Sequence, residues 1–219
     1  MVGIDLGIKD FAVLSDGTRL PAPRFARKRQ KRLQRAHRGV SRKRLRSRNR
    51  ERARAKLARV YARAADQRRD FLHKLTTNLV RDYDVIAIED LGVTGLARTK
   101  LAGAIHDAAF HEFRRQLEYK ARWRGKRLII IDRFFPSSKM CSSCQAVNSE
   151  LTPRIREWTC SCGTVHDRDL NAAQNLRAEA IKQLVAVGRT DTKNARGVRV
   201  SPPTEAADDE AGISRRASS

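Results

Sequence analysis

The chain has 219 residues, a length that suits one or two domains. It carries 47 Lys and Arg against 24 Asp and Glu, which gives a formal net charge of +23. Its mean hydropathy of −0.60 and the lack of a long apolar run exclude a membrane span. A chain this basic attracts polyanions, so nucleic acid is the first partner to consider and an anionic membrane the second.

The first twenty residues predict a small antiparallel sheet. Apolar and other residues alternate over residues 2–14, and the Asp16-Gly17 pair is typical of a hairpin turn. We therefore expect two strands here and a third near Arg19-Leu20. Pro21 and Pro23 should end the sheet.

A long basic segment follows, from Arg24 to about Arg81. Its thin apolar stripe predicts a helical hairpin of residues 27–37 and 41–81, broken at Gly39. Like charges destabilise an isolated helix, so we expect the hairpin to be stable when it packs on the sheet or binds phosphate. Aromatic residues make up only 5% of the chain, which favours phosphate contacts over base stacking. The candidate nucleic-acid-binding residues are Arg27, Lys28, Arg29, Lys31, Arg32, Arg35, Arg42, Lys43, Arg44, Arg46, Arg48 and Arg50.

Strands and helices then alternate. Short apolar runs predict buried strands at residues 84–89 and 128–131, and the apolar period predicts helices at residues 107–124 and 170–187. Gly188 should end the last helix.

Two segments lack a clear period. Residues 92–103 are typical of a loop, and the polar residues 189–219 are typical of a disordered tail. The order of all these elements predicts a mixed α/β fold.

Three acids stand at the ends of predicted elements. Asp5 follows an apolar strand start, Glu89 ends a buried strand, and Asp169 opens the last helix. If these elements are neighbours in one sheet, the three carboxylates meet at one edge and repel one another unless cations neutralise them. Oxygen ligands of this kind suit Mg²⁺ or Mn²⁺, and two such ions favour in-line cleavage of a phosphodiester.

Each acid also has a structural interpretation. Asp5 could be a turn residue at a strand end, while Glu89 and Asp90 could cap the next segment. Asp167 and Asp169 could both be N-cap residues favoured by the helix dipole. The catalytic interpretation depends on their combination with the next motif.

Four cysteines lie in two close pairs, Cys141-x-x-Cys144 and Cys160-x-Cys162. In a chain without an export signal, they favour a metal site over a disulfide scaffold. Four thiolates suit a tetrahedral structural Zn²⁺, which would stabilise a segment with almost no core. A redox dithiol, unliganded thiols, or His166 as a ligand in place of Cys160 or Cys162 remain open.

Four motifs together resemble the RuvC-type nuclease domain of TnpB, the OrfB-type protein of bacterial insertion sequences and a relative of the type V CRISPR effectors. The resemblance extends from Val2 to about Ala186. The motifs are Gly3-Ile4-Asp5-Leu6-Gly7-Ile8-Lys9, Ile88-Glu89-Asp90-Leu91, residues 135–144 around the first cysteine pair, and residues 160–176 around the second.

The resemblance implies an RNase H-like (RuvC) mixed sheet with a long basic helical insertion and an inserted zinc ribbon. It implies a Mg²⁺- or Mn²⁺-dependent, RNA-guided DNA endonuclease linked to transposition. The partners would be a DNA target and a guide RNA from the transposon end, in the bacterial cytoplasm at the nucleoid. The family's catalytic, magnesium-binding carboxylates correspond to Asp5, Glu89 and Asp169, and its zinc ligands to Cys141, Cys144, Cys160 and Cys162.

Family members also carry a substantial region upstream of the first catalytic Asp, which helps to bind guide RNA and to recognise the DNA motif beside the target. Met1 stands four residues before Asp5, so we expect this region to be missing. The implied domains are a nuclease core at 1–134 with a basic insertion at about 24–82, a zinc ribbon at 135–168, a final core helix at 169–187 and a tail at 188–219.

Two other functions remain open on the sequence alone. A catalytically decayed or truncated relative would bind nucleic acid without cutting it. A DNA-strand-transfer transposase would share the fold and the three acids, so the sequence gives little basis for distinguishing strand transfer from hydrolysis.

Overall fold

The computed structural model describes residues 1–92, 102–152 and 154–194. Its strands are β1 (Val2–Leu6), β2 (Asp10–Leu14), β3 (Arg19–Pro21), β4 (Val85–Glu89), β5 (Arg127–Ile131), β6 (Glu157–Thr159) and β7 (Val165–Asp167). Its helices are α1 (Phe25–Lys28), α2 (Gln30–Ser41), α3 (Arg48–Asp82), α4 (Ala102–Ala108), α5 (Phe110–Trp123) and α6 (Arg168–Asn194). None of these helices combines the length and the apolar character that a membrane span requires.

Five strands form one mixed sheet in the order β3-β2-β1-β4-β5. The three N-terminal strands pair antiparallel, whereas β4 and β5 run parallel to β1. The turn at Asp16-Gly17 joins β2 to β3, and Gly17 adopts the left-handed backbone that such a turn requires, with φ of 91°. The expected strands and the mixed α/β class are therefore confirmed.

Helices cover both faces of the sheet. On one face the buried residues of β1, β2 and β4 pack against α3 and α5, including Ile4, Phe11, Leu72 and Phe113. On the other face Ala87 and Ile131 pack against Leu176 and Ala180 of α6. Residues Met1–Gln183 form one compact unit, and Leu184–Asn194 is the described part of a second, where the helix α6 continues.

The basic segment forms the predicted helical hairpin, but the predicted break at Gly39 is wrong. Helix α2 continues through Gly39 to Ser41, and the turn occupies residues 42–47. The side chain of Ser47 accepts a hydrogen bond from the Arg50 backbone N–H and caps α3. One interior glycine costs a helix only about 1 kcal/mol, and a serine N-cap contributes about as much at the true boundary.

Two further helix boundaries differ from the prediction. The helix expected over residues 107–124 is divided between α4, which already begins at Ala102, and α5. The break occurs at Ala109, which adopts a left-handed backbone with φ of 53°. Helix α6 does not end at Gly188 but continues to Asn194, into the segment predicted as tail. The rest of the predicted loop and tail, residues 93–101 and 195–219, lies outside the described residues.

We expect Gly3→Ala to weaken the fold, because β1 passes very close to α6 at this residue. A Cβ on Gly3 would lie 2.1 Å from the Ala173 carbonyl oxygen and 2.6 Å from the Arg177 backbone nitrogen. Both atoms belong to a helix backbone and cannot move independently. The free energy of unfolding should fall by about 1–3 kcal/mol or more, measured as a lower urea midpoint.

Gly39→Ala is the matched control. A Cβ at Gly39 would meet no atom within 4 Å, so this variant should be neutral or stabilised by up to about 1 kcal/mol. Equal urea midpoints for Gly3→Ala and the parent would contradict the close contact between β1 and α6.

Candidate active site and metal centre

Asp5, Glu89 and Asp169 line one cavity of about 840 Å³. Asp5 lies near the end of β1, and Glu89 ends β4, one position beyond the Ile4–Ile88 pair of the parallel ladder. Asp169 lies in the first turn of α6. The three predicted carboxylates therefore come from three separate elements and share one site.

The environment of this cavity disfavours the ionised form of two of its carboxyl groups. Burial, and then the charges of Asp169 and Glu89, raise the pKa of Asp5 to about 8. Burial also raises the pKa of Glu89, although Ser137 Oγ donates a hydrogen bond to its carboxylate at 3.4 Å. A divalent cation would relieve this repulsion, so the donor set fits Mg²⁺ or Mn²⁺.

Two arginines, neither of them a predicted site residue, hold Asp169. Arg156 Nη1 donates to both carboxylate oxygens, at 3.0 and 3.1 Å, and Arg168 Nη2 donates to Oδ1 at 3.1 Å. Both arginines line the same cavity. Arg168 could have been suspected from its place between two acids, whereas Arg156 lies 13 residues from Asp169 and gave no signal.

Asp167 has the structural role that the sequence left open for either acid. Its Oδ1 accepts a hydrogen bond from the Leu170 backbone N–H at 2.9 Å, and its Oδ2 pairs with Arg19 at 2.8 Å. The N-cap interpretation therefore applies to Asp167, while Asp169 lines the cavity.

Asp90 and Glu89, although adjacent in sequence, have different partners. Hydrogen bonds from Arg133 and Arg114, the latter at 2.6 Å, lower the pKa of Asp90. Asp90 is thus an ion-pairing residue beside the site, and Glu89 is the acid that lines the cavity with Asp5.

The four cysteines form one cluster of free thiols whose sulfur atoms all lie within 4.8 Å of one another. The Sγ atoms of Cys141 and Cys162 are 3.7 Å apart, and those of Cys144 and Cys160 are 3.5 Å apart. Tetrahedral Zn²⁺ with Zn–S distances of about 2.3 Å needs sulfur atoms about 3.8 Å apart. The cluster therefore fits Zn²⁺, and its spacing is far too long for disulfides.

His166 contacts this cluster from outside. Its Nε2 lies 3.0 Å from Cys141 Sγ, and its ring packs on Trp158 with the centroids 4.8 Å apart. Because the four thiols form a complete set by themselves, His166 is better placed as a hydrogen-bond partner of the Cys141 sulfur than as a ligand.

The short spacing of the second pair follows from a tight turn. Strands β6 and β7 pair antiparallel, and the turn between them holds Cys160 and Cys162. The Gly163 backbone N–H donates to the Cys160 carbonyl at 2.9 Å, and Gly163 has φ of 84°. One residue between the cysteines is therefore enough to turn both sulfur atoms to the cluster.

Two buried asparagines attach the first cysteine pair to α6. Asn171 donates to the Met140 carbonyl at 2.7 Å and accepts from the Ser142 N–H at 2.9 Å. Asn175 donates to the carbonyl oxygens of Ser137 and Met140 at 2.7 and 2.6 Å. The helix that begins beside Asp169 thus also fixes the metal segment, a role that the motif did not reveal.

The predicted nucleic-acid-binding residues are mostly exposed. Arg29 donates to Gln67 Oε1 at 2.7 Å, and Arg50 Nη1 donates to the carbonyl oxygens of Val40 and Lys43 at 3.3 and 3.2 Å, so both help to hold the hairpin together. Lys28 lies in α1, and its side chain is outside the described part of the structure. The exposed members are Arg27, Lys31, Arg32, Arg35, Arg42, Lys43, Arg44, Arg46 and Arg48.

Helices α2 and α3 also form a groove of about 450 Å³ with a basic lining. Three of its cations, Lys56, Arg59 and Arg63, were not predicted. The lining residues are Arg32, Arg35, Ala36, Gly39, Ala53, Lys56, Arg59, Val60 and Arg63.

Two family models match the chain. The OrfB_IS605 model, described as "Probable transposase", matches residues 1–100. The model described as "Cas12f1-like, TNB domain" matches residues 110–176.

Similar proteins agree with these matches. A protein from Streptomyces pristinaespiralis, named as an RNA-guided DNA endonuclease, is 52% identical over 82% of this chain and 45% of its own length. InsQ from Escherichia coli, with the same description, is 33% identical over 81% of this chain and 48% of its own length. The chain therefore spans about half the length of these relatives.

A solved structure shares the fold. The cryo-EM structure of a Cas12f1–sgRNA–target DNA complex matches 80% of this chain and 49% of the matched chain, with a TM-score of 0.57 and 14% sequence identity. The resemblance inferred from the four motifs is confirmed by the family models and the relatives: the chain belongs to the OrfB/TnpB family.

Proposed function

We propose that this chain is the nuclease part of a transposon-associated, RNA-guided DNA endonuclease that hydrolyses phosphodiester bonds with the help of Mg²⁺ or Mn²⁺. The observation that supports this most strongly is the cavity shared by Asp5, Glu89 and Asp169, in which charge repulsion helps to raise the pKa of Asp5 to about 8. The names of the longer relatives support the same activity.

The proposed architecture is an RNase H-like (RuvC) core with two insertions. The mixed sheet and its likeness to Cas12f1 support the core, and the match to the TNB domain supports a zinc ribbon. The proposed divisions are core at 1–134, with the basic insertion at about 24–82, ribbon at 135–168 and final core helix from 169, with the described helix continuing to Asn194.

In this proposal the three carboxylates hold the catalytic metal. A divalent ion held there would supply an activated water and offset the negative charge of a phosphodiester during in-line displacement. Ser137 steadies Glu89, and the guanidinium groups of Arg156 and Arg168 lie where they can bind the phosphate oxygens of a nucleic-acid strand. These cations would orient the strand and help to stabilise its developing negative charge.

The four cysteines would hold a structural Zn²⁺. The ribbon has only a small core, formed by Cys141, Leu151, Trp158 and Cys160, so metal binding would supply most of its folding free energy. Because Arg156 directly precedes β6 of this ribbon, the zinc would also position the arginine beside Asp169.

The basic hairpin would bind guide RNA from the transposon end, the DNA target, or both, and this would bring the protein to the nucleoid. The buried residues of α3 begin at Val60, so α2 and the first turns of α3 are available for phosphate contacts along their basic groove. Phosphate contacts of this kind position a strand without reading its sequence.

Asp5→Asn tests the nuclease. We expect metal-dependent DNA cleavage in the presence of an element-end RNA to fall by about 100-fold or more, because a ligand and its charge are lost. Nucleic-acid binding and the thermal unfolding midpoint should be retained, since the variant removes a repelled charge. Single-turnover cleavage and a binding assay on the same preparation measure both.

Asp66→Asn, an exposed position on α3, is the matched control and should cut normally. Parent protein that binds but never cuts would support the decayed relative, and joined rather than cut products would support strand transfer. Either result would contradict the proposed hydrolysis.

Removal of one thiol tests the zinc centre. Freshly purified parent should contain one zinc ion per chain by native mass spectrometry, and Cys144→Ser should lose it because three thiolates bind zinc much more weakly than four. The neighbouring Ser143→Ala should keep the ion. Parent protein without zinc would contradict the assignment.

Charge removal in the groove tests the hairpin. Arg32→Gln with Arg35→Gln should lower the slope of log affinity against log salt by about 0.7–0.9 for each phosphate that the double variant no longer neutralises. Arg81→Gln, a control on the same hairpin whose arginine pairs with Asp82, should keep the slope. An unchanged slope in the double variant would place the phosphate-binding surface elsewhere.

A further inference from the structure

Three side chains contact one another in series along one side of α5, and none of the roles proposed so far uses them. Arg115 Cζ lies 5.5 Å from the ring centroid of Tyr119. The ring centroids of Tyr119 and Trp123 are 4.7 Å apart at an interplanar angle of 64°. Because the three residues are spaced four apart, they lie along one side of the helix, and we call them the aromatic ladder.

The ladder is not needed for the core. Phe113, Leu117 and Ala121, on the opposite side of α5, are buried, whereas Trp123 is 79% exposed. Tryptophan is highly buried on average, so such exposure of its large ring indicates a surface that a partner can cover.

The surroundings of the ladder are basic at its Trp123 end, whereas Arg115 at the other end pairs with Glu112. Between Glu118 and Asp132 the sequence has five cations and no acid. Lys120 Nζ bonds to α3, through the His73 carbonyl at 2.8 Å, and Lys126 pairs with Asp84. The remaining cations, all exposed, are Arg122, Arg124 and Arg127.

We propose that the aromatic ladder binds a base of single-stranded nucleic acid, with the Trp123 ring as the stacking surface and Arg122 and Arg124 on the adjoining phosphates. An aromatic ring beside exposed arginines is the combination that holds unpaired bases, and duplex bases are already stacked on one another. The basic surroundings favour a polyanion over an apolar protein segment. This proposal rests on the proposed nucleic-acid function and adds stacking to the phosphate contacts.

Tryptophan fluorescence tests it directly, because the chain has two tryptophans and the other, Trp158, is only 7% exposed. The whole chain is titrated with oligo(dT) without added divalent metal, so that no cleavage occurs. We expect oligo(dT) to quench the emission of Trp123. Trp123→Ala should bind roughly tenfold more weakly, while Trp123→Phe keeps most of the affinity.

Salt separates stacking from charge. Both the parent and Trp123→Ala should bind more weakly as salt rises from about 50 to 200 mM, but the ratio of their affinities should stay constant, because stacking releases no counterions. Phe134→Ala, at an exposed ring that lies outside the ladder (86% exposed), is the matched control and should bind like the parent.

The possible failures are distinguishable. Salt-dependent binding by the parent with no quenching, or with equal affinity for Trp123→Ala, overturns the ladder and leaves the nucleic-acid function standing. An equal loss in Phe134→Ala also overturns the ladder. Parent protein that does not bind oligo(dT) at any salt overturns both, and a protein segment is then the better partner for Trp123.

Discussion

The close contact between the backbones of β1 and α6 positions both parts of the candidate site. It exists because residue 3 is glycine, since a Cβ there would lie 2.1 Å from the Ala173 carbonyl oxygen. This contact brings Asp5 at the end of β1 beside Asp169 at the start of α6. The same helix holds the cysteine segment through Asn171 and Asn175, so one helix joins the carboxylates to the metal cluster.

Like charges are concentrated in two regions of the chain, the carboxylate cavity and the basic hairpin. In the cavity, the negative charges of Asp169 and Glu89 repel that of Asp5. Arg156 and Arg168 partly offset this repulsion, and a divalent cation would offset it further. In the hairpin, no described side chain of α2 is buried, so the helix depends on its contact with α3.

Much of the fold could be predicted from local patterns, and the misses have physical causes. The first strands followed from alternation, β4 and β5 followed from short apolar runs, and a hairpin turn followed from Asp16-Gly17. The predictions that helices end at Gly39 and Gly188 were wrong. The free energy that one glycine costs a helix is smaller than the stabilisation from the hydrogen bonds of the continuing helix. The break at Ala109 has no sequence signal, because alanine is a strong helix former that tertiary packing here forces into a left-handed backbone.

The candidate chemistry could be inferred from the residues alone: three acids at element ends, four thiols in two pairs, and a net charge of +23 that favours a polyanionic partner. The family motifs already favoured Glu89 over Asp90 and Asp169 over Asp167, but only the folded chain showed that the favoured acids line one cavity with Asp5. The tertiary structure also decided that Arg156 meets Asp169. Neighbouring residues differ in where their side chains point, and residues far apart in sequence meet only through packing, so local patterns cannot specify either.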